Sequence, residues 1–316
     1  MMKTETNKPV IDVRHINMNF GRFPALKDLS LSVRQGSAMA LLGENGAGKT
    51  TTLRVLTNIY RPASGEGSIL GYPFGCDRSE LFQRLGYVSE NQRLPLRWTL
   101  QGLVDYLKPQ YPTWDDRFCD ELIENFELPR HRRLGNMSRG MQMKASLISS
   151  LAYRPELLLL DEPFSGLDPL VREELIDGVL DLMEGGNWTL LLSSHDIHEV
   201  ERLCDAVTLI ENGRVILSEP LDALQARFRR WSIHLTAACE RHDFPADWLL
   251  VEQHDPTHWS LVETTHDPSA PLARIEEIFG PVRSHESQSL SLREIYLVLA
   301  KDKKRRRHSR PTATIA

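Results

Sequence analysis

The chain contains no apolar run longer than six residues, 295–300, where roughly 20 are needed to cross a bilayer. A membrane role would therefore have to come from a partner. The opening MMKTETNKPV has no apolar stretch behind its lysine and does not read as a secretory signal. Cysteine is scarce: Cys76, Cys119, Cys204 and Cys239 lie far apart and form no CxxC pair. That excludes a disulfide framework and a zinc cluster as the organising principle and suggests a reduced chain. Charge of one sign is also lacking, since the net of −5 describes neither a nucleic-acid coat nor a trap for acidic substrates. There is no internal repeat. What remains is ordinary globular composition, 41% hydrophobic and 26% charged, over 316 residues, enough for one large domain and a small one.

Apolar and polar residues alternate through residues 10–34, which predicts two antiparallel strands. SAMALLG reads as a buried strand entering a glycine loop, and KTTTLRVLTNIY as the helix leaving it. Between residues 98 and 134 the spacing turns helical in TLQGLVDYL and DDRFCDELIENF. ELLLLDEP and WTLLLSSH hold short apolar strands, the mark of a parallel sheet covered on both faces. VTLIENGRVI predicts a hairpin turning at Asn212-Gly213. The texture shifts near residues 220–230. Beyond it, WSIHLTA, WLLVEQ, WSLVETT and PLARIEEIF predict a small α+β appendage, and a capping box at Ser291 and Glu294 opens a closing helix, SLREIYLVLA.

The chemistry starts at GENGAGKT, residues 43–50, which fits G-x-x-x-x-G-K-[ST] between a strand and a helix. Gly43, Glu44, Asn45, Gly46, Ala47 and Gly48 form a loop whose backbone N–H groups can turn inward around phosphates. Lys49 would reach the β and γ oxygens, and Thr50 would offer its hydroxyl to Mg²⁺. Thr51 continues the helix, whose N-terminus adds partial positive charge. Downstream, LLLLDEP ends a buried strand on Asp161, placed to hold Mg²⁺, and on Glu162, placed to polarise a water as general base. Taken alone, that pair reads equally well as a capped helix start.

In this order the motifs resemble the nucleotide-binding subunit of an ATP-binding cassette (ABC) transporter, over residues 10–224. GENGAGKTT matches the family's Walker A loop, LLLLDEP its Walker B strand, and FSGLD, ending on Asp168, its D-loop. His195 falls at the switch histidine, and Phe20 where an aromatic ring stacks on adenine. NMSRGMQ stands where the signature lies, so the resemblance implies that Ser138 and Gly140 cap the γ-phosphate held by a second, identical cassette facing head to tail. Ser138 reads equally as a plain N-cap, and one geometry serves both. Two motifs depart from the family. Met137-Ser138-Arg139-Gly140-Met141 replaces the common Leu-Ser-Gly-Gly-Gln, and Glu90 stands where relatives place a glutamine touching Mg²⁺ and the membrane partner.

The resemblance implies an α/β P-loop NTPase cassette, with a mixed sheet core, an antiparallel β subdomain and a helical signature subdomain, spanning 8–225. A C-terminal α+β domain, 226–300, and a basic disordered tail, 301–316, would follow it. It implies ATP and Mg²⁺ as ligands, with Thr50, Asp161 and Glu90 at the metal, Glu162, His195 and Lys49 catalytic, and a separate permease as partner. YPTWDD, SRGM and SLREIYLVLA are similar to the bacterial drug-export type, which places the chain on the cytoplasmic face of the inner membrane. No nucleic acid is expected. The rival reading is a soluble ABC ATPase acting on nucleic acid or ribosomes, but one uninterrupted cassette suits neither the two-cassette translation type nor the coiled-coil repair type. Glu162 and His195 argue against an ATP-binding regulator without turnover. The tail has seven Lys or Arg between residues 301 and 310, which reads as a solvated end or as a contact for anionic lipid. Seven of eleven histidines fall in the last third, but Pro256 between His254 and His258 breaks any helix that would aim both at a metal.

Overall fold

The alternation at the N-terminus produces two long strands, β1 (Pro9–Phe20) and β2 (Phe23–Arg34), paired antiparallel. The computed structural model describes residues 9–75, 78–90, 92–184, 188–240, 243–267, 269 and 272–308. Two compact units divide the chain, Met1–Ser218 and Glu219–Ala316. In the first, β4 (Ser64–Ile69) and β5 (Tyr72–Pro73) extend the opening hairpin into an antiparallel sheet of order β2-β1-β4-β5.

The central sheet has the order β10-β9-β3-β8-β7-β6. Its strands are β3 (Ala38–Leu42), β6 (Leu85–Ser89), β7 (Leu157–Asp161), β8 (Thr189–Ser194), β9 (Ala206–Glu211) and β10 (Arg214–Pro220). Pairing is parallel from β6 through β7, β8 and β3 to β9. The expected turn joins β9 to β10, with Asn212 and Gly213 both left-handed at φ 49° and 76°. Every residue of β3, β7 and β8 is buried. Each buried leucine of β7 contributes about 2 kcal/mol of transfer free energy, which explains the unbroken apolar lettering. The carboxyl ends of these three strands carry the glycine loop, Asp161 and the residue before His195, the edge at which open α/β sheets bind ligands.

Helices α1 (Lys49–Leu56), α2 (Arg78–Arg84), α3 (Leu100–Leu107), α4 (Asp116–Asn125), α5 (Arg139–Leu151), α6 (Pro169–Glu184) and α7 (Ile197–Leu203) complete this unit. Thr99 and Asp115 cap α3 and α4 by accepting from Gly102 N and Phe118 N. The first helix is shorter than the apolar spacing to residue 60 predicts. Thr57 turns its hydroxyl back to Leu53 O at 3.0 Å, and Asn58 is left-handed, a C-terminal stop.

The second unit holds α8 (Leu221–Arg227), β11 (Arg229–Leu235), β12 (Trp248–Gln253), β13 (His258–Glu263), α9 (Ala273–Phe279), β14 (Val282–Ser289) and α10 (Leu292–His308). Its antiparallel sheet, ordered β12-β13-β11-β14, packs a core of Trp231, Ile233, Trp248, Trp259, Ile275 and Phe279. Glu263, buried among them, accepts the indole N–H of Trp231 at 3.1 Å and lies 3.2 Å from His266 Nδ1. The β12–β13 turn, not a helix, brings the rings of His254 and His258 to 4.8 Å. Among the described residues no cluster of three or more His, Cys, Asp or Glu could hold a metal. Cys119 and Cys204 are buried free thiols, and Cys239 is a half-buried one.

Two boundaries differ from the sequence reading. The units part at 218/219, not 225/226, because Arg227 reaches Thr264 O at 2.7 Å and so binds α8 to the C-terminal sheet. The tail expected to be disordered from Lys301 instead continues α10 to His308; residues 309–316 lie outside the described chain. The capping box forms, with Ser291 N donating to Glu294 Oε2 at 3.1 Å and Glu294 N to Ser291 Oγ at 3.3 Å. Buried Leu292, Ile295 and Val298 anchor the helix. Lysine and arginine then extend it, being good helix formers whose charge suits a C-terminus. Among the described residues no helix is long and apolar enough to cross a membrane.

Candidate functional site

The glycine loop has to reverse direction between β3 and α1 without a side chain in the way. Gly48 caps α1 with φ 112°, and a Cβ there would sit 2.9 Å from Leu26 Cδ2. No side chain caps this helix, so its first N–H groups stay available for a ligand. A cavity of about 280 Å³ opens above them, lined by residues that include Asn45, Gly46, Lys49, Thr50, Thr51 and Glu162.

Around Lys49, Thr50 and Glu162 of this lining the predicted side chains converge. Lys49 Nζ donates to Gly43 O at 2.7 Å and lies 2.9 Å from Glu162 Oε1, with both side chains nearly buried. Thr50 Oγ1 donates to Asp161 Oδ1 at 2.9 Å. His195 Nδ1 lies 2.7 Å from Glu162 Oε2. Glu162 is thus gripped from both sides, and its backbone is left-handed at φ 50°, a conformation that costs a non-glycine residue on the order of 1–3 kcal/mol and gathers at functional sites. Burial pushes the Asp161 carboxyl above its ordinary value; the Thr50 and Ser193 hydroxyls oppose this and the nearby Glu162 charge adds to it.

Phe20 lines the cavity, 44% exposed and edge-on to Tyr60 at 5.3 Å. Phe23, more exposed at 64%, lines it too. The sequence reading missed Phe23, although a second aromatic three residues after Phe20 was the available signal. It also missed Arg172, whose Nη1 donates to Asp196 Oδ2 at 2.8 Å and so ties α6 to the residue after His195. Glu90 lies in the lining as well, but its carboxylate is 3.5 Å from Arg139 Nη2. Asp168 accepts from Leu170 N at 3.0 Å, at the start of α6.

Ser138 and Gly140 do not line this cavity. Ser138 is exposed and caps α5 by accepting from Met141 N at 3.2 Å. Gly140 has a local reason to be glycine, since a Cβ would fall 2.3 Å from Val171 Cγ1. Within one chain, then, the helix entry at Ser138 and Gly140 lies outside the lining of the cavity over the glycine loop.

A family model described as ABC transporter matches residues 26–165. An uncharacterized ABC transporter ATP-binding protein of Nostoc sp. is 33% identical over 283 residues, 86% of this chain and 82% of that one. The bacitracin transport ATP-binding protein of Bacillus licheniformis is 30% identical, covering 79% of this chain and 80% of its own length. The methionine import ATP-binding protein of Chlamydia felis is 31% identical over 68% and 67%. A solved ATP-binding subunit of an ABC transporter superposes with a TM-score of 0.62 at 27% identity, covering 68% of this chain and 92% of that one. A cavity over a glycine loop, a carboxylate held between a lysine and a histidine, and these likenesses lead to one conclusion: the chain belongs to the ATP-binding subunits of ABC transporters, a family of P-loop ATPases.

Proposed function

We propose that this chain is the motor of an export complex, in which ATP closes two identical cassettes on each other and hydrolysis lets them part, driving a separate permease. The observation that carries the catalytic part is the placement of Glu162 between Lys49 and His195, beside the Thr50–Asp161 pair. When ATP enters, its phosphates take the loop N–H groups, and Lys49 turns from Gly43 O and Glu162 to the β and γ oxygens. Glu162, released from the lysine, accepts the proton of the attacking water, while His195 holds its other oxygen and senses the γ-phosphate. Phe20 stacks on the adenine.

The donor set suits Mg²⁺. Thr50 and Asp161 offer two hard oxygens, and a magnesium ion is commonly held by one or two protein oxygens together with water and substrate phosphates. Bound there, the ion would neutralise developing charge on the phosphates. Ser138 and Gly140 serve the partner cassette's ATP, and Asp168 lies at the same interface.

The drug-export reading rests on the SRGM signature and on likeness to the bacitracin transport protein; the methionine import relative makes import the alternative. To test it, the tagged chain is purified from detergent-solubilised membranes. A polytopic membrane protein without a cassette of its own should co-purify, and reconstituting the two should raise ATP turnover. Recovery of ribosomes or nucleic acid in its place would overturn the transport reading. With cassettes facing outward on liposomes and bacitracin as the probe, ATP should drive the peptide inward, the sense of export; outward movement of preloaded peptide would indicate import.

The basic end of α10 supports a further element of this proposal, contact with anionic lipid at the cytoplasmic face of the inner membrane. Each cation near such a surface contributes about 1 kcal/mol, screened by salt. Replacing Lys303 and Lys304 by glutamine should lower co-sedimentation with phosphatidylglycerol vesicles at low salt and leave ATP turnover unchanged. Equal sedimentation of both forms would remove lipid from the proposal.

A further inference from the structure

Glu90 and Arg139, two residues that depart from the usual family pattern, meet in this structure, and each alone carries the wrong charge for its place. Glu90 lies in the cavity lining, its backbone N–H fixed on Asp161 O at 2.8 Å. A carboxylate there repels the phosphates of an entering nucleotide. Arg139 is the first residue of α5, where the partial positive charge of the helix end disfavours a cation. The two side chains come within 3.5 Å, Arg139 Nη2 to Glu90 Oε1. The guanidinium packs directly over Gly166. A Cβ at Gly166 would lie 2.5 Å from Arg139 Nη1 and 3.0 Å from its Cζ.

This contact therefore links three motifs of one chain: the loop after β6, the entry to the signature helix, and the turn before α6. The arginine and glutamate side chains are 54% and 34% exposed, so the pair adds little to fold stability. Its effect is on charge. An unpaired Glu90 would place a full negative charge at the edge of an anion site, and an unpaired Arg139 would oppose the dipole of its own helix. Together the two charges cancel.

We propose that Arg139 is a positioning residue that neutralises Glu90 beside the nucleotide's phosphates, and that Glu90 tethers this loop to the signature helix and does not ligate magnesium. The proposal rests on residues 43–50 being the nucleotide site, and the parent chain's own binding separates a failure of that reading from a failure of this one.

The experiment measures binding of a fluorescent ATP analogue, mant-ATP, to the purified full chain, with EDTA and with Mg²⁺. In EDTA at low salt, Arg139→Gln should weaken binding about three- to tenfold, and added salt should shrink the loss. Arg139→Lys, which keeps the charge, should bind like the parent. The double variant Glu90→Gln with Arg139→Gln should return to within about twofold of the parent, because the uncompensated carboxylate is gone. Glu90→Gln alone should keep whatever gain in affinity Mg²⁺ gives the parent. The proposal is overturned if Arg139→Gln binds like the parent, if the double variant is as weak as Arg139→Gln, or if Glu90→Gln loses the Mg²⁺ gain. A parent chain that does not bind mant-ATP overturns the nucleotide reading itself.

Discussion

Glu162→Gln should bind ATP and fail to turn it over, with hydrolysis lowered by two to four orders of magnitude, the contribution typical of a positioned general base. Glutamine matches the shape of glutamate and can occupy the same left-handed backbone, so the strand end bearing Asp161 should not move. What it lacks is the proton acceptor and the charge. Loss of the charge removes the 2.9 Å ion pair to Lys49, so ATP affinity should stay level or rise. The His195 contact at 2.7 Å can survive as a neutral hydrogen bond. Closed dimers should therefore accumulate and be isolable by gel filtration with ATP and Mg²⁺, but not with ADP. Near-normal turnover would take Glu162 out of its proposed role. His195→Ala, measured in parallel, leaves the base in place but removes one side of its grip, and should lower turnover without the same loss of nucleotide release.

The candidate nucleotide site was legible as a motif because its residues are local in sequence. The glycine loop, Lys49 and Thr50 lie within eight consecutive residues, and Asp161 and Glu162 end a strand whose apolar lettering marks it as buried. Other parts were hidden for reasons that can be named. β14 reads VRSHESQS and exposes all but one residue; it is a strand only because β11 offers it a partner edge, and no periodicity announces that. The helical end of α10 looked like a solvated run because charge density conceals helix propensity, whereas the capping box and the buried Ile295 and Val298 that start the helix lie upstream. The domain boundary moved because Arg227, an unremarkable basic residue in sequence, reaches across 37 positions to Thr264 O. The Glu90–Arg139 contact spans 49 positions and joins two motifs that the sequence presents as separate departures. Long-range pairs of this kind leave no trace in spacing.

The proposal that Ser138 serves the partner cassette's ATP can be tested with a mixed dimer. Ser138 Oγ already accepts from Met141 N, which leaves the hydroxyl hydrogen free to donate outward from an exposed position. Around it are the first N–H groups of α5, an arrangement fit for an anion but apart from the cavity above Lys49. Suppose that anion is the partner's γ-phosphate. A dimer of a Lys49→Ala chain and a Ser138→Arg chain then gathers both lesions into one composite site. The other site pairs the intact Lys49 of the second chain with the intact Ser138 of the first. If Ser138 acted within its own chain, each site would instead carry one lesion and neither would be whole. Differently tagged chains, purified as mixed dimers, should therefore trap photo-crosslinkable ATP at one of the two sites, on the Ser138→Arg chain. Each pure mutant should trap little, since an arginine at the helix entry blocks close approach. Removing the cap costs about 1 kcal/mol, so thermal melts of the pure Ser138→Arg chain must show it folded before its failure to trap is counted. Trapping is the right readout because steady hydrolysis can require both sites at once. Mixed dimers that trap no more than the pure mutants would rule out a shared site and return Ser138 to the role of helix cap.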